Sequence, residues 1–214
     1  RAVKNVPMAL EHPEYFLDSG DENHMSLMLD LGNPDAWQYC YDTLEKLIGD
    51  LHIDCYRQDF NFEPLAFWRK KDGADRRGIS EIKYINGFYK LWDDLLEKFP
   101  HLIIDNCASG GRRIDIETLK RSIPFFRSDY QCNFNENSEV LQVHNANVSC
   151  YLPYNGCTTK TKGDTYAVRS SFSSSWGGAF YNAIFQSMDE TDFKWVKKVT
   201  DEYRKIRKYF TMDF

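Results

Sequence analysis

Hydrophobic positions along the chain fall into short runs separated by longer amphipathic stretches. Apolar, β-rich runs occupy Met25–Leu31, Ile53–Phe60, Leu102–Ile104, Pro124–Arg127, Val140–Tyr151 and Ser171–Trp176. Between several of them, apolar residues recur three and four apart, as on a helix with one buried face. Asn33 and Pro34 suit an N-cap and a first helical residue. Trp37, Tyr41, Leu44 and Ile48 then share a face, and Gly49 is the expected left-handed cap. Ser80 opens a second expected helix along Ile82, Ile85, Tyr89, Trp92 and Leu96, which Phe99-Pro100 stops. A short helix is expected after Asp115, through Thr118 and Leu119. The last runs from about Asp192 to Tyr209, through Trp195, Val199, Tyr203 and Ile206. The charged tract Arg69–Gly78 reads as a long strand-to-helix loop.

Strand–helix alternation of this kind predicts an α/β fold, a parallel sheet with outer helices. A barrel and a doubly wound sheet both fit. No internal repeat, low-complexity tract or linker divides the 214 residues, so residues 1–214 are expected to form a single domain. The chain opens on Arg1 without a signal-peptide pattern, as expected of a recombinant, processed or fragment form.

Composition narrows the function classes. The hydrophobic fraction of 42% can build a core, and acids and bases are mixed along the chain to a net charge of −5. No basic block is present, which argues against nucleic acid as a partner. No apolar run approaches the ~20 residues of a membrane-spanning helix. The six cysteines form no Cys-x-x-Cys pair and the five histidines are scattered, so no metal or redox motif is indicated. Asn147-Val-Ser149 fits a glycosylation sequon but lies inside a strand-like run.

Polar residues gather at the ends of the expected strands. Arg57, Asp59 and Asn61 follow one run, Asp105, Asn106 and Cys107 the next, and Arg127, Ser128 and Asp129 another. His144, Asn145 and Asn147 interrupt a further run. In parallel α/β folds active sites form at the C-terminal ends of strands. Two carboxylates at neighbouring strand mouths can divide nucleophile and acid roles, as in retaining glycosidases. The competing reading is that Asp59 and Asp129 cap helices or pair with arginines. Their position at strand ends, among further polar residues, favours chemistry. Cys107-Ala-Ser-Gly-Gly-Arg-Arg113 is a small turn whose glycines allow close backbone approach to a ligand. It lacks the Walker lysine, and no Gly-x-Ser-x-Gly elbow occurs.

Three of these motifs resemble glycoside hydrolase family 36, the melibiase-type α-galactosidases. Arg57-Gln58-Asp59-Phe60-Asn61 is similar to the family's Lys-x-Asp-x-Asn nucleophile segment. The stretch from Asp105 to Arg113 is similar to its Cys-x-x-Gly-x-x-Arg segment, and Arg127-Ser128-Asp129 to its Ser-Asp acid/base segment. The resemblance implies a (β/α)8 TIM-barrel type fold, incomplete here, with about strands four to eight present. It implies retaining hydrolysis of terminal α-galactosides, with Asp59 as nucleophile and Asp129 as acid/base, and no metal or organic cofactor. Arg57, Asn61, Cys107, Gly110 and Arg113 would line the sugar subsite. The expected partner is an oligosaccharide or glycoside, with a missing barrel segment or self-association covering the open edge. Two departures stand out: Arg57 replaces the family lysine, and Gln58 a usual tryptophan. A guanidinium and an ammonium are not interchangeable, which leaves a related glycosidase of different sugar specificity as a second reading. A sugar-binding or structural fragment, inactive by itself, is the third.

Overall fold

The computed structural model describes residues 2–130, 137–159, 163–178 and 189–212. The chain divides into two compact units, Arg1–Tyr56 with Asn61–Ile104, and Arg57–Phe60 with Asp105–Phe214.

In the first unit, strand β1 (Ala2–Val3), helix α1 (Pro7–Glu11), strand β2 (Phe16–Leu17) and strand β3 (Ser26–Leu29) come first. β3 pairs antiparallel with both β1 and β2, so the run Met25–Leu31 belongs to a small antiparallel sheet and not to a parallel one. Helix α2 (Pro34–Leu51) follows, with the Asn33 side chain accepting from the Asp35 N–H as its cap. It runs two residues past Gly49. His52, with φ of 51°, takes the left-handed position, and the Ile53 N–H reaches back to Ile48 O. That pattern satisfies the last carbonyls just as a glycine cap would.

Strand β4 (Cys55–Asp59) leads to helix α3 (Leu65–Lys71), so the charged tract expected as a loop is helical at its start. Phe67 and Trp68 are buried there, which outweighs the charges that follow them. Helix α4 (Ile79–Lys98) begins where the Asp72 carboxylate accepts from the N–H groups of Gly78 and Ser80. Its buried stripe is Tyr84, Phe88, Leu91, Trp92 and Leu95, while Ile82 is 59% exposed. The expected stripe shared only Trp92 with it, because two helical stripes overlap and the one with the larger rings wins the core. Gly87 sets the packing: a Cβ there would lie 1.9 Å from Leu31 O. The Trp37 Nε1–H donates to Gly87 O at 2.8 Å across the same contact.

Strand β5 (Ile103–Cys107) pairs with β4. In the second unit, strand segments follow in chain order, each hydrogen-bonded to the next. The Phe60 N–H donates to Cys107 O, and the Asn106 N–H to Ile123 O, where Asp105 and Ile123 form a parallel bridge. The Gly156 N–H donates to Pro124 O and the Arg127 N–H to Gly156 O. Strands β6 (Gly156–Thr159) and β7 (Ser175–Gly178) pair parallel, Gly156 opposite Ser175. The run Pro124–Arg127 makes single hydrogen bonds with Gly156 and no regular strand, and the bridge before it is at Ile123. Pro124 has no N–H to give, and the Phe125 N–H is taken in part by the Asp105 carboxylate. Among the described residues no closed barrel is formed.

Helix α5 (Ile116–Leu119) carries the expected Asp115 cap, part of a capping box with Thr118. Helix α6 (Ser138–Val148) lies where Val140–Tyr151 reads as strand. Asn137 caps it through the Glu139 and Val140 N–H groups, and Leu141 is its fully buried side chain. The β-branched valines gave the strand signal, but Val143 is 57% exposed. Likewise the run Ser171–Trp176 is mostly the turn after helix α7 (Thr165–Ser170), and its strand starts at Ser175. The last helix, α8 (Glu190–Ile206), continues as a 3-10 turn to Tyr209, as its stripe predicts. Val199 and Tyr203 join Val168 and Phe172 in a core, with Trp195, Ile206 and Trp176 packed against it. The Tyr203 hydroxyl donates to Ser173 O and accepts from the Trp176 N–H.

Candidate active site

The second unit brings Arg57, Asp59, Cys107, Gly110, Arg113 and Asp129 into one compact body. Asp59 ends β4 and Cys107 ends β5. Beyond Cys107 the backbone turns sharply through Ser109, with φ of 47°, and Gly110, with φ of 79°. A serine in the left-handed region is strained, and such strain gathers at functional sites.

This turn touches both candidate carboxylates. The Ser109 N–H donates to Asp59 Oδ1 at 3.4 Å. On its other side, a Cβ on Gly110 would lie 2.8 Å from the Asp129 nitrogen and 3.2 Å from Asp129 Oδ1. A Cβ on Gly111 would come within 2.3 Å of Arg127 O. Glycine is therefore required at both positions for the turn to seat against Arg127–Asp129. Asp59 and Asp129 are themselves solvent-exposed.

The Cys107 thiol is hydrogen-bonded to the Asp59 side chain. Burial pushes this thiol up, and the charge and hydrogen bond of Asp59 add to that, against the Gly110 N–H and the Arg57 charge. Arg57 Nη1 pairs with Asp105 Oδ2 at 2.5 Å, with 40% of the Arg57 side chain exposed and 8% of Asp105. Burial works against the guanidinium charge, but the hydrogen bond and charge of Asp105, then Cys107 and Asp59, hold Arg57 above its usual value. Its guanidinium also lies over the Phe126 ring, 5.6 Å from the centroid.

Arg113 faces backbone as well as side chains. Its Nε–H donates to Asn106 Oδ1 at 2.9 Å, and Nη2 donates to Gln58 O and Cys107 O, each at 3.0 Å. Asn61 belongs to the first unit. Sequence reading noted Asp105 at a strand end without giving it a role, and missed Ser109 and Phe126. The alternation of a strand, which puts Asp105 on the Cys107 face, was the available signal.

The residues His144, Asn145 and Asn147 are not at a strand mouth, because they lie on α6. The His144 ring meets Tyr130 edge-on, and burial followed by the Arg127 charge pushes its pKa down. The Asn145 amide donates to Ser170 O and Phe172 O, a structural tie. The Asn147 amide donates back to Val143 O within the helix.

Two exposed aspartates lie on either side of one glycine turn, an arrangement with the residue types of a glycosidase carboxylate pair. The chain belongs to the Melibiase family, whose model matches residues 2–212. It is 34% identical over 122 residues to an α-galactosidase of Escherichia coli, covering 55% of this chain and 16% of that protein. It is 22% identical over 219 residues to α-galactosidase Mel36A of Lactobacillus acidophilus, covering 92% of this chain and 28% of that one. The chain thus spans less than a third of these relatives' length. Its fold matches part of the GH36 α-galactosidase AgaA of Geobacillus stearothermophilus, with a TM-score of 0.76 at 18% identity over 99% of this chain and 30% of that one. A variant of AgaA has been crystallised in complex with stachyose.

Proposed function

We propose that this chain carries both catalytic carboxylates of a retaining α-galactoside hydrolase, on strands four to eight of a (β/α)8 barrel of which residues 1–214 are part of a single domain. The observation that carries the reading is the Ser109–Gly110 turn, in contact with Asp59 on one side and Asp129 on the other. In this reading Asp59 attacks the anomeric carbon as the glycosidic C–O bond breaks, and Asp129 gives its proton to the leaving oxygen. Water then attacks the same carbon, Asp129 takes the water's proton, and the bond to Asp59 breaks, restoring both groups. The two carboxylates and water suffice for this chemistry.

Arg57, Cys107 and Gly110 line the sugar subsite in this reading, and the motif resemblance also assigns Asn61 to it. The substrate is a terminal α-galactoside, of the kind that stachyose presents to the relative. A further segment or a second copy of the chain covers the open edge. The exposure of both aspartates favours a second reading, a sugar-binding piece that becomes catalytic only when covered.

Hydrolysis of a panel of aryl α- and β-glycosides separates these readings. Cleavage of the α-galactoside by the wild type, lost in Asp59→Asn and Asp129→Asn, supports the enzyme. Sugar binding equal in wild type and Asp59→Asn, with no cleavage by either, supports the binding piece. Cleavage of a different glycoside keeps the mechanism and changes the sugar.

A further inference from the structure

We infer that Arg113 is a positioning residue, which holds Asp59 against the Ser109–Gly110 turn and does not itself bind the sugar. Only the kinetic part of this inference rests on the glycosidase reading.

The guanidinium of Arg113 bridges two backbones. One of its nitrogens, Nη2, donates to the carbonyls of Gln58 and Cys107. Gln58 directly precedes Asp59, and Cys107 opens the turn that contacts Asp59. The Cys107 carbonyl also accepts from the Phe60 N–H at 3.0 Å, so it is the point where the clamp and the strand pairing meet. The planar fork suits this task, because one rigid group serves three acceptors in fixed directions.

Arg113 is fixed from behind as well. Asn106 accepts from its Nε–H and donates through Nδ2 to Arg113 O at 2.9 Å, a reciprocal pair. Asn106 is 1% exposed, so this anchor is buried. The Thr118 hydroxyl donates to the same carbonyl at 2.6 Å and ties Arg113 to the α5 capping box. The guanidinium also lies over the Phe60 ring, 5.7 Å from its centroid, on the residue that follows Asp59. Arg113 therefore grips the residues on both sides of Asp59 while its own backbone is held in place.

The thiol of Cys107 offers a readout independent of catalysis, because its pKa is raised by burial and, to a lesser extent, by the Asp59 carboxylate beside it. Its titration midpoint is measured from the pH dependence of the Cys107 13Cβ chemical shift, because a side chain only 2% exposed is closed to alkylating reagents. Arg113→Gln is expected to lower the midpoint towards that of Asp59→Asn. Tyr203→Phe, which removes hydroxyl bonds in the α8 core, controls for lost stability and is expected to leave the midpoint unchanged. With an aryl α-galactoside, Arg113→Gln is expected to lower kcat about 10²-fold, the cost of a misplaced catalytic group, with KM within about 3-fold. Arg113→Lys, which keeps the charge and loses the fork, is expected to fall between, and it serves alone if Arg113→Gln does not fold. An unchanged Cys107 midpoint in the folded Arg113 variants overturns the inference. So does a KM raised by about 10-fold or more at constant kcat, the mark of a sugar ligand. Absence of hydrolysis by the wild type counts against the glycosidase reading alone, and the thiol titration still decides the role of Arg113.

Discussion

Gly110 lies so close to Asp129 that a single added methyl carbon would stand 2.8 Å from the Asp129 nitrogen and 3.2 Å from a carboxylate oxygen. With φ of 79°, this position also disfavours any L side chain. Gly110→Ala is therefore expected to cost about 1–3 kcal/mol in stability through backbone strain. It also displaces Asp129 relative to Asp59, and activity is expected to fall about 10²-fold. Thermal melting and turnover measured on one preparation test this, with the loss of turnover exceeding what the unfolded fraction explains.

The Arg57–Asp105 pair joins the strands that end at Asp59 and Cys107. Removing one partner of a fully buried pair costs about 3–5 kcal/mol, and solvent at a half-exposed Arg57 reduces that, so about 2 kcal/mol is expected for Asp105→Asn. Arg57→Lys keeps the charge but loses the fork, and is expected to change KM more than stability. Urea unfolding, run beside substrate titration, distinguishes the two effects.

Much of this site was legible in the residues, for a local reason. The Asp59 and Cys107 motifs mark strand ends by short-range pattern, whereas Asp129 follows a stretch that forms no regular strand; the Asn33, Asp115 and C-terminal helix signals are local too. The failures involve competition between local preference and packing. Val140–Tyr151 is rich in β-branched residues, yet the Asn137 cap and the burial of Leu141 make it helical. Gly49 looks like a stop, but the α2 backbone continues until His52 provides the left-handed turn. Pairings such as Arg57 with Asp105, 48 residues apart in sequence, follow from the placement of two strands and have no signature in either motif.

Cys40, on α2, has its thiol pKa pushed up to about 11 from 9.0 by burial. Below pH 9 the thiol is protonated in both folded and unfolded chains, so its contribution to stability is fully present. As the pH rises from 9 through 11 the unfolded chain ionises first, and stability falls by at most about 2–3 kcal/mol from this group. Denaturant midpoints taken across that range are expected to drop more steeply in the wild type than in Cys40→Ala. Parallel curves would remove Cys40 as the cause.

In the proposed mechanism Asp59 forms the bond to the sugar. The most direct measurement is covalent trapping with a fluorinated α-galactosyl substrate whose intermediate hydrolyses slowly, followed by peptide mass spectrometry. The account predicts one galactosyl-derived mass on the peptide containing Asp59, absent in Asp59→Asn. Labelling at another residue, or labelling that persists in Asp59→Asn, would contradict it.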